Sequence, residues 1–387
     1  MAGLRVLVVE PGHDLGGAQL YVLRLAPLLR QRGIEQILAA PASSELARAW
    51  RAEGGEHVSL KTPTDRSIRH ADGRLDPLGA LREAGRTLSS ARRIATLARQ
   101  TGANVLHANG HWAHLEVAAA ARICRRPAVL HLHERSQPDA LGRLRALGVW
   151  NAAATVAVSN AVAESLPSWA GKRLHVIHSG IDTRRFTPGP ADPGLRGQLT
   201  NGDPPVVLVI ARLVPTKGVD HVIRAVAELP AELGNTHLVI VGAAVDPAYE
   251  QSLRQLGEQL LGDRVRFLGA RDDVDELLRA SDALVLASES EGLGLCILEA
   301  QACGVPAVAY PAGGCAELIR HDSTGLLAEQ GNVHDLGHQL GRLLTSPALA
   351  KELATNALRQ VLAHHSLSRQ AAKNVDILQA VARRPIA

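Results

Sequence analysis

Short apolar runs alternate along this chain with longer stretches in which apolar residues return every three or four positions. In the first half the runs fall at 6–9, 34–39, 104–106, 128–132 and 155–158. In the second half they fall at 206–210, 237–241, 265–268 and 283–287, with a last strand expected at 306–310. Each run closes on Gly, Pro or polar residues, and a helical pattern follows. The clearest opens after the run at 6–9: residues 18–32 carry Val22, Leu25 and Leu29 on one face, with a kink expected at Pro27 and an end at Gly33. Another opens at Leu295 and carries Ile297, Leu298, Ala300 and Ala302, and from Val333 onward the pattern is helical. Strands alternating with helices predict parallel α/β units rather than a helical bundle or an all-β sandwich.

The alternation breaks once. Residues 182–205 are rich in Pro and Gly, and the same strand–turn–helix order restarts at 206. An interdomain linker is expected near 182–190, dividing the chain into domains 1–184 and 185–365. A length of 387 residues supports two cores, and hydrophobic residues at 46% suffice to fill both. No apolar run approaches the ~20 residues of a spanning helix, and residues 3–9 read as a buried strand rather than a signal peptide. Cys124, Cys296, Cys303 and Cys315 form no C-x-x-C pair, which predicts reduced thiols in a cytoplasmic setting.

Charge adds little. The net charge is +4, and aromatic residues are 2% and scattered, so the stacking platform of a nucleic-acid binder is missing. Residues 61–99 hold eight arginines (66, 69, 74, 82, 86, 92, 93 and 99) against Asp65, Asp72, Asp76 and Glu83. A solvated helix face explains them, and so does docking to an anionic membrane surface or a phosphorylated acceptor.

Candidate chemistry gathers at strand ends, where open α/β sheets bind ligands. Gly16 and Gly17 follow the first strand. His107, His111, His114, His131 and His133 crowd together; His107 is expected just past its strand, so the H-x-x-x-H-x-x-H run does not share one helical face, and His133 stands at a sheet edge. Arg212 and Lys217 follow the first strand of the second half, two cations suited to phosphate. Gly242 ends the next strand. Asp273-Val274-Asp275 matches a metal–diphosphate pattern, but acids at a helix start are stabilised there anyway. The richest stretch is 284–304. Its turn Ser288-Glu289-Ser290-Glu291-Gly292-Leu293-Gly294 leads into a helix, with Glu291 and Glu299 bracketing the helix start. Free amides there favour a phosphate, and the two carboxylates favour hydroxyls.

That stretch resembles the E-x(7)-E signature of the family-4 retaining glycosyltransferases. Further likeness lies in Gly16-Gly17, the strand ending at His133, 178–182, Arg212-Leu213 with Lys217-Gly218, 304–306, Gly313-Gly314 with Glu317, and Thr324-Gly325. The resemblance implies the GT-B architecture, two Rossmann-like domains facing across a cleft, with a C-terminal helix from about 366 returning to the first. It implies that Arg212 and Lys217 neutralise the donor diphosphate in place of a metal ion, so no cofactor is expected. The amides of Gly292, Leu293, Gly294 and Leu295 would hold the donor sugar and distal phosphate, and Glu299 the ribose. Glu291 would bind sugar hydroxyls, and backbone near Arg271 the base. Gly16 and Gly17 would approach the diphosphate, and His133 the donor sugar and acceptor. The implied reaction is metal-independent front-face transfer from a nucleotide-diphosphate sugar, UDP before GDP, to a hydroxyl acceptor. That acceptor is an envelope glycan or lipid, or a small natural product, with peripheral membrane contact open. Leu293 where Phe is common, His178 where Asn is common, and Pro27 depart from the pattern. The alternatives are a UDP-N-acetylglucosamine 2-epimerase-like isomerase and a non-catalytic nucleotide-sugar-binding partner.

Overall fold

The computed structural model describes residues 3–61, 77–137, 139–200 and 202–383. They divide into two compact units, residues 1–178 with 368–387, and residues 179–367. The division falls between His178 and Ser179, ahead of the 184/185 boundary drawn from composition. Local bonding explains it: the Ile181 N–H donates to the His365 carbonyl at 2.7 Å, and the Leu367 N–H donates to the Ile181 carbonyl at 3.1 Å.

The first unit is built on seven strands: β1 Leu4–Val9, β2 Ile34–Ala40, β3 Glu56–Ser59, β4 Val105–Ala108, β5 Ala128–Leu132, β6 Ala154–Ala157 and β7 Leu174–Val176. Their order is β3-β2-β1-β4-β5-β6-β7, and every pair is parallel. The second unit holds β8 Val206–Ile210, β9 His237–Val241, β10 Val265–Gly269, β11 Ala283–Leu286, β12 Ala307–Ala309 and β13 Leu326–Leu327. Their order is β10-β9-β8-β11-β12-β13, again parallel throughout. Helices cover both faces of such sheets, which is why the central strands read as unbroken apolar runs: Val6 to Val9 and Ala283 to Val285 are wholly buried. In each sheet the order reverses beside its first strand, between β1 and β4 and between β8 and β11. Both units are thus Rossmann-like, and these two switch points are where ligands are expected.

Four differences from the sequence reading have simple causes. The strand at 306–310 is not the last, because β13 follows it; a two-residue strand has no period to read. Residues within the Pro/Gly-rich stretch form the helix Pro193–Leu199, whose start is capped by the Asp192 carboxylate accepting from the Gly194 and Leu195 amides. His107 lies inside β4 rather than past it. The first helix is Gly17–Arg30 and runs on through Pro27 to its end.

Arg66, Arg69 and Arg74, with Asp65, Asp72 and Asp76, lie outside the described residues. The remaining arginines of that segment sit on the helix Pro77–Gln100, which buries Ala91, Ile94, Ala95 and Ala98 and leaves Arg82, Arg92, Arg93 and Arg99 exposed. Among the described residues no helix is long and apolar enough to cross a membrane.

The helix Leu367–Ala382 packs into the first unit. The buried Tyr21 hydroxyl donates to Asn374 Oδ1 at 3.0 Å, and Asn374 Nδ2 donates to the Gln370 carbonyl at 2.9 Å. Burial pushes the Tyr21 hydroxyl far above its ordinary pKa, so it serves as a neutral donor. Tyr21→Phe leaves the buried Asn374 oxygen without that donor and is expected to destabilise by about 1–3 kcal/mol, read as a lower thermal midpoint of the transition reporting on the first unit.

Candidate functional site

At the switch point of the second unit three loops meet. Gly218 ends the loop after β8 with φ +60°, and a Cβ there would overlap the Ala287 carbonyl oxygen. Gly313, in the loop after β12, has φ +54°, and its Cβ would overlap the Glu291 carbonyl oxygen. Only glycine meets both demands at each place. Backbone bonds close the assembly: the Glu289 N–H donates to the Thr216 carbonyl at 2.9 Å and the Gly314 N–H to the Glu291 carbonyl at 3.3 Å.

Inside these loops Lys217 Nζ donates to Glu291 Oε1 at 2.5 Å, and Ser288 Oγ donates to the same oxygen at 2.8 Å. The lysine and glutamate side chains are only 18% and 15% exposed. The turn then enters the helix Leu295–Ala302 directly after Gly294, and the first-turn N–H groups of a helix have no partner within it. Glu299 is buried one turn in, at 8% exposure, on the same face as Leu295. Between these groups lies Cys296. Its thiol is pushed far up first by burial and then by the Glu291 and Glu299 carboxylates, with Lys217 opposing them. Leu293 is buried, while Gly292 and Leu295 are partly accessible.

Arg212 is exposed in the loop after β8. The next residue ties that loop sideways: the Leu213 N–H donates to the Ala243 carbonyl at 2.9 Å, and the Gly242 N–H donates to the Gly269 carbonyl at 2.8 Å. Arg271 follows. Its guanidinium grips Asp273 at 2.8 and 2.5 Å, and it lines a cavity of about 310 Å³ with Leu195, Gln198 and Phe267. Asp275 is held by Arg185 and Arg279, each at 3.0 Å. The D-x-D carboxylates therefore serve ion pairs. Among the described residues no three His, Cys, Asp or Glu side chains are grouped to hold a metal ion.

The switch point of the first unit holds a hydrogen-bonded chain. Glu10, 1% exposed, follows β1 and accepts from the Gly12 N–H at 2.9 Å and from Asn109 Nδ2 at 2.7 Å. Asn109 Nδ2 also donates to the Ala18 carbonyl at 2.9 Å. The amide nitrogen is thus committed, and Asn109 Oδ1 faces His133 Nε2 at 2.9 Å. An amide oxygen only accepts, so His133 carries its proton on Nε2 and a lone pair on Nδ1. The His133 ring stacks on His131 at 4.5 Å, and Tyr21 lies 4.3 Å from His131. His111 Nδ1 lies 2.8 Å from Glu134 Oε1, a bond that holds the Glu134 carboxyl below its usual range. Gly16 has φ −98° and ψ −171°, a conformation open to any residue, and Gly17 begins the first helix. Local backbone shape therefore does not require glycine at 16.

Burial keeps this cluster neutral. It lowers His107 and His114 to about 4 and His133 to about 3, and it takes His131 well below its ordinary value. Neighbouring imidazoles add to the shift of each. Among the described residues the ring nitrogens of His107 and His131 have no hydrogen-bond partner.

Glu10 and Asn109 were not picked out from the sequence, and Ser288 was read only as the first residue of its turn. Their signal is a polar residue closing an apolar run, and all three stand at the ends of switch-point strands β1, β4 and β11. Gly16, Gly17 and His133 belong to the first unit; Arg212, Lys217, Gly242, Arg271, Glu291 and Glu299 belong to the second.

Comparison with known proteins finds two family models that match this chain. Residues 15–185 match the model of Glycosyltransferase Family 4, and residues 195–360 match that of Glycosyl transferases group 1. A Corynebacterium glutamicum protein is 35% identical over 219 residues, 54% of this chain and 56% of its own. It is named GDP-mannose-dependent monoacylated alpha-(1-6)-phosphatidylinositol monomannoside mannosyltransferase. The N-acetyl-alpha-D-glucosaminyl L-malate synthase of Bacillus anthracis is 35% identical over 40% of each chain. The chain spans about half the length of the curated relatives it matches. The solved structure of Anabaena HepE in complex with UDP and glucose superposes with a TM-score of 0.83, at 25% identity, over 97% of this chain and 100% of its own.

The buried imidazoles make acid stability testable. Their folded pKa values lie below the unfolded 6.5, so the unfolded chain binds more protons between pH 6.5 and about 4. Stability is full above 6.5 and falls as the pH drops, by up to about 1.4 kcal/mol per pH unit for each group. His107→Leu is expected to flatten this fall, measured as the thermal midpoint between pH 7.5 and 4.5; an unchanged slope would show that His107 takes no part in it.

Proposed function

We propose that this chain, which belongs to the family-4 glycosyltransferases, moves a sugar from a nucleoside-diphosphate donor to a hydroxyl acceptor with retention of anomeric configuration. One observation carries the reading: Lys217, Ser288 and Glu291 are bonded together beside the start of the helix Leu295–Ala302, with Glu299 one turn in. A diphosphate needs fixed positive charge, and Lys217, Arg212 and the first-turn amides supply it at one switch point. Ribose and sugar hydroxyls need acceptors, and Glu299 and Glu291 supply them.

The same groups support the chemistry. As the glycosidic bond to the diphosphate lengthens, negative charge grows on the leaving phosphate, and Lys217 and Arg212 stabilise it. The acceptor hydroxyl attacks the anomeric carbon on the face the diphosphate leaves, and its proton passes to a departing phosphate oxygen. No side chain then forms a covalent intermediate, and no metal ion is required in this scheme. Lys217 turns from Glu291 toward the phosphate, and Glu291 becomes available to the donor sugar. Gly292, Leu293, Gly294 and Leu295 offer backbone to the distal phosphate and sugar, and backbone by Gly242 and Arg271 meets the nucleoside. At the first unit's own switch point Gly16 and Gly17 leave backbone open to a ligand, since the ordinary dihedrals of Gly16 do not themselves call for glycine. His133 presents the lone pair of Nδ1 to a hydroxyl.

A UDP-sugar is the proposed donor, supported by the likeness to a UDP-bound structure over nearly the whole chain. The relative named for GDP-mannose matches over about half. Thermal-shift screening of UDP- and GDP-sugars separates the two, and acceptor trials with the stabilising donor follow. Retention is checked by proton NMR of the product linkage; an inverted anomer refutes the mechanism. Product formation from donor alone, as a 2-epimer, refutes transfer. Lys217→Ala and Glu299→Ala are each expected to lower kcat/KM by about 10²-fold or more, and dialysis against a chelator is expected to leave the rate unchanged. Full turnover by either variant removes the assigned role.

A further inference from the structure

We propose that the outer face of the helix Ala140–Asn151 is a docking surface for an anionic lipid bilayer. This helix buries Ala146 and Val149 on one side and exposes Leu144, Leu147 and Trp150 on the other, at 47%, 47% and 51%. Spacing of three residues places these apolar side chains in one stripe along the solvent face. Neighbouring elements extend it. The turn Ser168–Arg173 packs on this helix and exposes Trp169. The helix Ala113–Cys124 exposes Ile123, and its Arg122 donates to Asn151 Oδ1 at 2.7 Å.

Charge selects the occupant. Around the stripe the chain has Arg143, Lys172 and Arg173 against two acids, Asp139, which caps the helix start, and Glu164. Arg122, Arg125 and Arg126 add three cations from the adjoining helix end, and Arg173 donates to the Ala152 carbonyl at 3.1 Å, just past the stripe. Cations around leucines and tryptophans fit a bilayer whose interface accepts the apolar groups and whose head groups are negative. A second copy of this chain would set the same cations against one another.

The helix also joins this surface to the site. Arg145 and Val149 line a small cavity with His111, His114, His133 and Glu134. A bilayer on the outer face would lie about one helix diameter, ~10 Å, from the cavity beside His133. That link to a lipid acceptor rests on the glycosyltransferase reading; bilayer binding itself does not. The stripe belongs to a different helix from Pro77–Gln100, whose Arg99 donates to the Ile123 carbonyl at 2.6 Å.

Co-sedimentation of the full chain with vesicles tests the proposal. Binding is expected to phosphatidylcholine vesicles containing half phosphatidylglycerol, to weaken at least tenfold in pure phosphatidylcholine, and to fall with salt. A Leu144→Gln, Leu147→Gln, Trp150→Gln variant is expected to lose at least tenfold in vesicle affinity with an unchanged thermal midpoint. Leu362→Gln, an equally exposed leucine in the second unit, should bind like the parent. In the parent, vesicles should shift tryptophan emission to the blue, and Trp150→Phe should lose most of that shift. Equal binding by the triple variant, binding indifferent to anionic lipid, or a concentration-dependent dimer that the triple variant abolishes would each overturn the proposal. If vesicles bind as expected while no donor is turned over, the surface stands and the catalytic reading fails.

Discussion

A lysine and a glutamate held together largely out of water set the terms of the second unit. Taking Lys217 and Glu291 out of solvent carries a desolvation cost that is offset by the bond between them and, for Glu291, by Ser288. Removing one partner leaves the other charge stranded. A binding site built this way is stable when empty, and it is open to exchange when an anion offers the lysine a better partner. The neighbouring carboxylate then gains accepting capacity at the moment a polyol arrives. Under the proposed function, the pair would couple the phosphates and the hydroxyls of the donor through one hydrogen bond.

The first unit solves the opposite problem. Its switch point is crowded with imidazoles that burial keeps neutral, and one buried carboxylate, Glu10, is placed to orient an amide rather than to neutralise a cation. Glu10 fixes Asn109, and Asn109 fixes which nitrogen of His133 bears the proton. The result is a directional hydrogen-bonding group with little charge of its own. Charge sits on one unit and direction on the other.

The sequence showed the parallel α/β class because strands buried on both faces leave unbroken apolar runs, as at Val206–Ile210 and Ala283–Leu286. It also pointed to Lys217, Glu291 and Glu299 as candidates, and the structure brings the first two together. What stayed hidden was pairing in space. The bond from Lys217 to Glu291 spans seventy-four positions, and the chain from Glu10 through Asn109 to His133 joins residues ninety-nine and twenty-four apart. β13 and the helix Pro193–Leu199 stayed hidden for a different reason. Two residues are too few for a period, and Pro and Gly at a helix start look like a linker until the Asp192 cap is seen.

Gly218 and Gly313 have a mechanical meaning beyond sterics. Each lets one loop nest against a carbonyl of the next, so the segments after β8, β11 and β12 lie in backbone contact with no side chain between them. A segment nested on both sides cannot move without displacing its neighbours. The turn from Ser288 to Gly294 is that middle segment, and a push on the Lys217 side reaches Gly313 through rigid main chain. The three loops are thus joined edge to edge by main chain, and a substitution at either glycine would be felt along all three.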